Sequence, residues 1–140
     1  MASVPESVAA MMSGDRASAA LGIELVSCAL GHAILRMKVR EDMVNGHGIA
    51  HGGLVFALAD TAFACACNSF GPVTVSSGAE ITYLRPGRAG DVLEAEAVLR
   101  ARQGRSGLYD VTVRRGTEVV AEFRGHSREV PASLLAREPE

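Results

Sequence analysis

The sequence predicts an α+β fold in which one long helix is wrapped by an antiparallel sheet, and three observations carry that expectation. The stretch Gly52–Asn68, GGLVFALADTAFACACN, is rich in Ala and Leu, lacks Pro and is apolar almost all the way round. A helix of that kind has to be buried on every side. Around it lie six strand-like runs, two before and four after, separated by Gly- or Pro-containing turns. Period-two alternation is clear in Val92, Glu94, Glu96 and Val98 and again in Tyr109, Val111 and Val113. Finally, 140 residues with 48% hydrophobic and 21% charged side chains suit one domain with a real core and are wrong for a disordered chain. Residues 1–140 are therefore expected to form a single domain.

The elements follow in order. Residues 4–20 have a helical look, with Pro5 at an early position and Val8, Met11 and Met12 at helical spacing, until Gly22 breaks the pattern. Ile23–Leu30 and His32–Val39 flank Gly31 as a hairpin. Residues 40–51 form a Gly-containing loop without periodicity. The main helix runs from Gly52 to about Asn68, and Gly71–Pro72 ends it. Strands are expected at about 73–85, 91–102, 107–115 and 118–128, joined as a four-stranded meander by turns at 86–91, 103–104 and 115–116. A tail from Pro131 to residue 140 reads as frayed. One sheet covers only part of an all-round apolar helix, so burial alone predicts a dimer or larger oligomer.

Composition excludes several function classes. The net charge of -2 argues against nucleic acid or an anionic membrane as the main partner. Lys38 is the only lysine, so the positive charge is nearly all arginine. An odd count of three cysteines, Cys28, Cys65 and Cys67, fits reduced thiols in a cytoplasmic protein. The N-terminal segment reads as neither a signal peptide nor an anchor, and the stretch 54–67 is too short to span a bilayer.

Within the apolar helix one residue breaks the rule. Asp60 is flanked by Leu58, Ala59, Ala62 and Phe63, and no Lys or Arg lies on that helix to pair with it. Burying an unpaired carboxylate is costly, and such acids tend to be functional. The competing reading is a structural Asp bonded to backbone or to a distant Arg. A second feature is the junction Asn45-Gly46-His47-Gly48-Ile49-Ala50-His51-Gly52-Gly53. The first amides of a helix lack internal partners, and Gly52 and Gly53 leave theirs sterically open to an oxyanion or phosphate. A tight turn that needs glycine is the alternative, and the spacing is not that of a phosphate loop. His47 and His51 do not make a metal pair, because they lie in a loop with no further ligand at suitable spacing. Cys65 and Cys67 point to different sides of the helix and read as packing. Of Ser76 and Ser77, adjacent on a strand, only one can look towards the helix.

Gly52 and Asp60 are eight residues apart, hence about 12 Å along one helix. A carbonyl held at the helix N-terminus is out of direct reach of the same chain's Asp60. If both act on one carbon, they come from different subunits with antiparallel helices.

The segment NGHGIAHGGLVFALADTAFACACNS closely resembles the phenylacetic acid degradation thioesterases, the PaaI family of the hotdog-fold superfamily. So do Tyr83-Leu84-Arg85-Pro86-Gly87-Arg88-Ala89-Gly90-Asp91 and Phe123-Arg124-Gly125-His126-Ser127, and the likeness runs from about residue 15 to 128. The resemblance implies a hotdog, dimerised edge to edge and paired again into a homotetramer. It implies hydrolysis of acyl-CoA thioesters, of the phenylacetyl and hydroxyphenylacetyl type or other aryl and short acyl groups, with no cofactor or metal, since CoA is part of the substrate. Carried over, Asp60 is the catalytic acid, as nucleophile or general base. Gly52 supplies the amide that polarises the carbonyl, with Gly53 beside it, and Asn45 and His51 contact the thioester. Ser76 or Ser77 assists the water, while Arg85 and Arg88 are candidates for the CoA phosphates. Two other readings are a hotdog enoyl-CoA hydratase or dehydratase, which usually pairs a His with an acid or amide in the helix region, and a non-catalytic acyl-CoA-binding protein.

Overall fold

The computed structural model describes residues 3–136. Two short helices, α1 (Glu6–Ser13) and α2 (Arg16–Ala20), precede a hairpin of β1 (Glu24–Ala29) and β2 (His32–Lys38). A loop holding a 3-10 turn at Glu41–Met43 leads into α3 (Gly52–Asn68). Strands β3 (Thr74–Tyr83), β4 (Val92–Gln103), β5 (Ser106–Arg115) and β6 (Glu118–Glu129) follow, then a 3-10 turn at Ala132–Leu135. That turn lies within the tail expected to fray, whose residues 137–140 lie outside the described residues.

The single helix expected over 4–20 is two helices. Gly14 ends α1, and Asp15 starts α2 by accepting the Ser18 N–H on Oδ1 at 2.9 Å. An N-capping Asp offers the backbone a new start, and here that outweighs continuing the first helix.

The six strands form one antiparallel sheet in the order β1-β2-β4-β5-β6-β3. This corrects the four-stranded meander. Strands β4, β5 and β6 are consecutive hairpins, but β3 pairs with β6 at the far edge while β4 pairs with β2. Residues 84–91 therefore cross the end of the sheet instead of turning back on themselves. Pro86–Gly87 and Gly90–Asp91 announce a change of direction, but turn chemistry does not say which strand the chain meets next.

The sheet wraps α3. Where β2 and β4 meet the helix the inward residues include several alanines: Ala33 faces Ala97, Leu35 faces Ala95 and Met37 faces Leu93 in register, all buried. Larger groups pack over β5 and β6. The Phe63 ring lies 5.6 Å from Tyr109 and 5.8 Å from Phe123. A side chain at Gly125 would put its Cβ 2.8 Å from the Phe63 ring, so that strand position has to be glycine. Burying one such ring contributes about 1.5–3 kcal/mol.

At the other end of the helix, Asn68 binds α3 to β3. Its Nδ2 donates to the carbonyls of Ala64 and Thr74, and its Oδ1 accepts the Thr74 N–H. The Ser7 hydroxyl of α1 donates to the Asn68 carbonyl at 2.7 Å. These bonds set where β3 starts relative to the helix. The expectation that α3 is covered on all sides is met only in part. Gly53, Ala57, Asp60 and Ala64, spaced as one helical stripe, remain partly or fully open to solvent.

Candidate active site

Helix α3 borders two separate grooves. The first, about 450 Å³, lies at its N-terminus and is lined by Asn45, Ile49, Gly52, Tyr83, Arg85 and Val120 among others. The second, about 660 Å³, lies beside the middle of the helix and is lined by Asp60, Phe63, Met11, Val75, Ser76 and Leu135 among others.

At the N-terminal groove, His51 caps the helix, with Nδ1 accepting the Gly53 N–H at 3.1 Å. The N–H groups of Leu54 and Val55 both reach the His51 carbonyl. That leaves the Gly52 N–H as the first-turn amide without an acceptor among the described residues, at the positive end of the helix dipole. Gly53 is therefore not the open donor that its sequence context implies, because the capping imidazole occupies it. Gly52 is not open above either. The Tyr83 ring lies over it, and a Cβ at residue 52 would come within 3.1 Å of that ring and its hydroxyl.

Asn45 shapes the loop that delivers the helix. Its Oδ1 accepts the N–H groups of His47 at 2.9 Å and Ile49 at 3.3 Å, while its backbone N–H donates to the Ile49 carbonyl. The side-chain carbonyl is thus spent on the loop, and the amide NH2 is what Asn45 has left to offer the groove it lines. Arg85 lines the same groove, but its Nη1 donates to the Val119 carbonyl at 2.8 Å. Arg88 lines neither groove, and its backbone N–H donates to Asp91 in a turn. His47 sits exposed in the loop. No group of three or more His, Cys, Asp or Glu residues suited to a metal stands among the described residues.

In the second groove Asp60 is half-buried. Burial pushes its carboxyl above the usual carboxylate range, and the like charge of Asp15 pushes it further. No cation offsets either effect. Asp15 is tied to α3 through a buried hydroxyl chain: Ser18 Oγ donates to Asp15 Oδ2 at 2.6 Å and lies 3.1 Å from Thr61 Oγ1. Opposite Asp60, a β-bulge between Ser76 and Gly78 interrupts the pairing of β3 with β6. Ser76 lines the Asp60 groove and makes only a long bond, 3.4 Å, from its hydroxyl to the Gly78 carbonyl, whereas Ser77 donates its hydroxyl to the His126 carbonyl at 3.1 Å. Bulges re-aim side chains in this way. The cysteines take no part: all three are buried, and burial pushes the Cys65 and Cys67 thiols up to about 12.

The structure therefore gathers Asn45, Gly52 and Arg85 in one groove and Asp60 and Ser76 in another. Sequence reasoning missed Tyr83, Asp15 and Met11. The contacts of Tyr83 and Asp15 with α3 span more than thirty residues of chain, and no local pattern announces them.

Residues 47–122 match the model of the thioesterase superfamily. The chain is 44% identical to acyl-coenzyme A thioesterase PaaI of Escherichia coli over 126 residues, covering 89% of this chain and 90% of that protein. The fold superposes on the structure of the E. coli PaaI protein from the phenylacetic acid degradation operon with a TM-score of 0.88 at 42% identity, covering 92% of this chain and 97% of that one. It also superposes on a Streptococcus mutans protein bound to acetyl-CoA, with a TM-score of 0.74 at 28% identity, covering 77% and 88% of the two chains. The central helix, the wrapped six-stranded sheet and these likenesses together place the chain in the thioesterase superfamily, as a hotdog-fold enzyme of the PaaI type.

Proposed function

We propose that this protein hydrolyses acyl-CoA thioesters to the free acid and CoA, at a site shared between two subunits. The observation that carries this reading is Asp60, a half-buried carboxylate with a raised pKa and no cation to pair with. It opens on a groove lined by Phe63, Met11, Val73, Val75 and Leu135. A base with a raised pKa is better matched to removing a proton near neutrality than an ordinary carboxylate. The apolar lining suits phenylacetyl, hydroxyphenylacetyl, other aryl or short acyl groups.

In this reading the thioester carbonyl oxygen accepts the Gly52 N–H, assisted by the Asn45 amide and His51. Negative charge developing on that oxygen is stabilised by a donor already fixed in place. Asp60 takes a proton from a water that Ser76 helps to hold. The water oxygen bonds to the carbonyl carbon, the C–S bond breaks, and the thiolate of CoA leaves with the proton. Direct attack by the Asp60 carboxylate is the other route. Incorporation of 18O into the enzyme in a single turnover in labelled water would establish direct attack, and its absence supports the water route.

Two features support a homodimer as the catalytic unit. Strand β3 is a ten-residue edge strand, largely exposed, and such an edge is a ready template for a second chain. The open stripe of α3 that holds Asp60 lies beside it. An antiparallel partner would bring its own Gly52 groove to this chain's Asp60. We further assign pairing of dimers into a homotetramer, and, from the three free buried cysteines, a place in the cytoplasm. Arg85 and Arg88 flank the turn after β3, and the CoA phosphates are assigned to that face. No helix among the described residues is long and apolar enough to cross a membrane.

The test is a screen over an acyl-CoA panel that follows free-thiol release. Release from aryl-acyl and short acyl esters is expected. Tight CoA-ester binding without thiol release would overturn the reading in favour of a binding protein, and hydration of an enoyl-CoA would do so in favour of a hydratase.

A further inference from the structure

Tyr83 reaches from the end of β3 to the first turn of α3, and the reaction as described gives it no part. Its hydroxyl donates to the Gly52 carbonyl at 2.6 Å, as a phenol does at neutral pH. The Gly52 carbonyl belongs to the same peptide unit as the Gly53 N–H, and this N–H donates to His51 Nδ1 at 3.1 Å. The three groups form one line: phenol, peptide, imidazole. A donor placed on a peptide carbonyl polarises the unit and strengthens the bond its N–H makes at the other end. An imidazole nitrogen that accepts a hydrogen bond carries no proton, so in the neutral ring the proton sits on Nε2.

Resting on the thioesterase reading above, we propose that Tyr83 is a positioning residue. Through the Gly52–Gly53 peptide it holds His51 in the Nε2–H form, and it locks the first turn of α3 so that the Gly52 N–H keeps its aim. His51 then serves as a donor through Nε2, and its other nitrogen is committed to the helix cap. The close approach of the ring also accounts for glycine at 52, where any Cβ would press on Tyr83 at 3.1 Å. Tyr83 touches no reacting atom in this scheme.

The experiment uses Tyr83→Phe, which keeps the ring over Gly52 and removes only the donor. Two readouts are taken on the full-length protein. In steady-state hydrolysis kcat is expected to fall about fivefold, with KM changed less than about twofold, because the loss is in positioning and not in binding. In 15N-correlated spectra of the histidine rings, recorded above neutral pH and assigned with His51→Gln, the wild-type ring is expected to be protonated on Nε2. The Tyr83→Phe ring is expected to show a mixture of both tautomers. Wild-type kcat together with an unchanged ring spectrum in Tyr83→Phe would overturn the proposal, as would a wild-type His51 protonated on Nδ1. If no acyl-CoA is hydrolysed, the thioesterase reading falls, and the ring spectra still decide whether Tyr83 governs His51.

Discussion

The groove at the N-terminus of α3 and the groove beside Asp60 are both open and largely apolar, about 450 and 660 Å³ in volume, yet their polar chemistry differs in kind. The first is equipped with donors, the Gly52 N–H, the Asn45 amide and the Arg85 guanidinium, with His51 capping the helix beside it. The second holds one carboxylate whose pKa burial has raised, with the Ser76 hydroxyl nearby. One can stabilise a developing oxyanion and the other can move a proton, and neither contains both functions. The separation of about 12 Å follows from helical rise alone. On the proposed reading, a chain that divides its chemistry along one helix in this way needs a second subunit to complete the site.

The comparison predicts unequal sensitivities. The largest effect belongs to the carboxylate: Asp60→Asn should lower kcat about a thousandfold while the protein stays folded, measured by thiol release and circular dichroism. In the wild type, kcat/KM should fall as pH is lowered through the raised pKa of Asp60, at a pH above the ordinary carboxylate range. Stability carries the opposite sign. A carboxyl whose folded pKa lies above its unfolded value stabilises fully below the unfolded value and loses that contribution as pH rises through the folded one. Asp60→Asn should therefore be more stable than wild type at neutral pH, by thermal melting, and lose that advantage in acid. Equal melting temperatures at both pH values would mean that burial does not tune Asp60.

Next comes the donor groove. Gly52→Ala sets a Cβ against the Tyr83 ring at 3.1 Å, so that the ring and the first turn of α3 no longer fit as they do, which should lower kcat about a hundredfold with little change in melting temperature. Asn68→Ala tests how β3 is held against the helix. It leaves both backbone groups of Thr74 without their partner and should cost about 2 kcal/mol in denaturant unfolding. The smallest effect separates the two serines. Ser76→Ala should slow turnover about tenfold, and Ser77→Ala, whose hydroxyl is bound to the His126 carbonyl, by less. A reversed order would move the water-assisting role to the other side of the bulge.

Much of this was legible from sequence because it is local. The α3 boundaries follow from the glycine pair at its start and the Gly71–Pro72 stop, and Asp60 stands out because its neighbours are apolar. What escaped is non-local or depends on competition between local signals. Nothing near β3 says that it pairs with β6, and the turn at Pro86–Gly87 is equally compatible with a hairpin. The break at Gly14–Asp15 is an N-cap hidden inside a continuous helical pattern. Gly53 looks free until the capping tautomer of His51 is known, and Tyr83 acts on Gly52 only because the sheet curls over the helix.

In the proposed reaction, Asp60 of one subunit acts with Gly52 of the other. Protomers carrying Asp60→Asn and protomers carrying Gly52→Ala, each nearly inactive alone, are mixed in equal amounts, dissociated and re-paired. Half of randomly re-paired dimers are hybrids with one intact site each, so recovery of about a quarter of the wild-type rate is expected. A mixture that stays as inactive as its parents, with subunit exchange verified by mass spectrometry, would contradict the account and place both groups in a single chain's site.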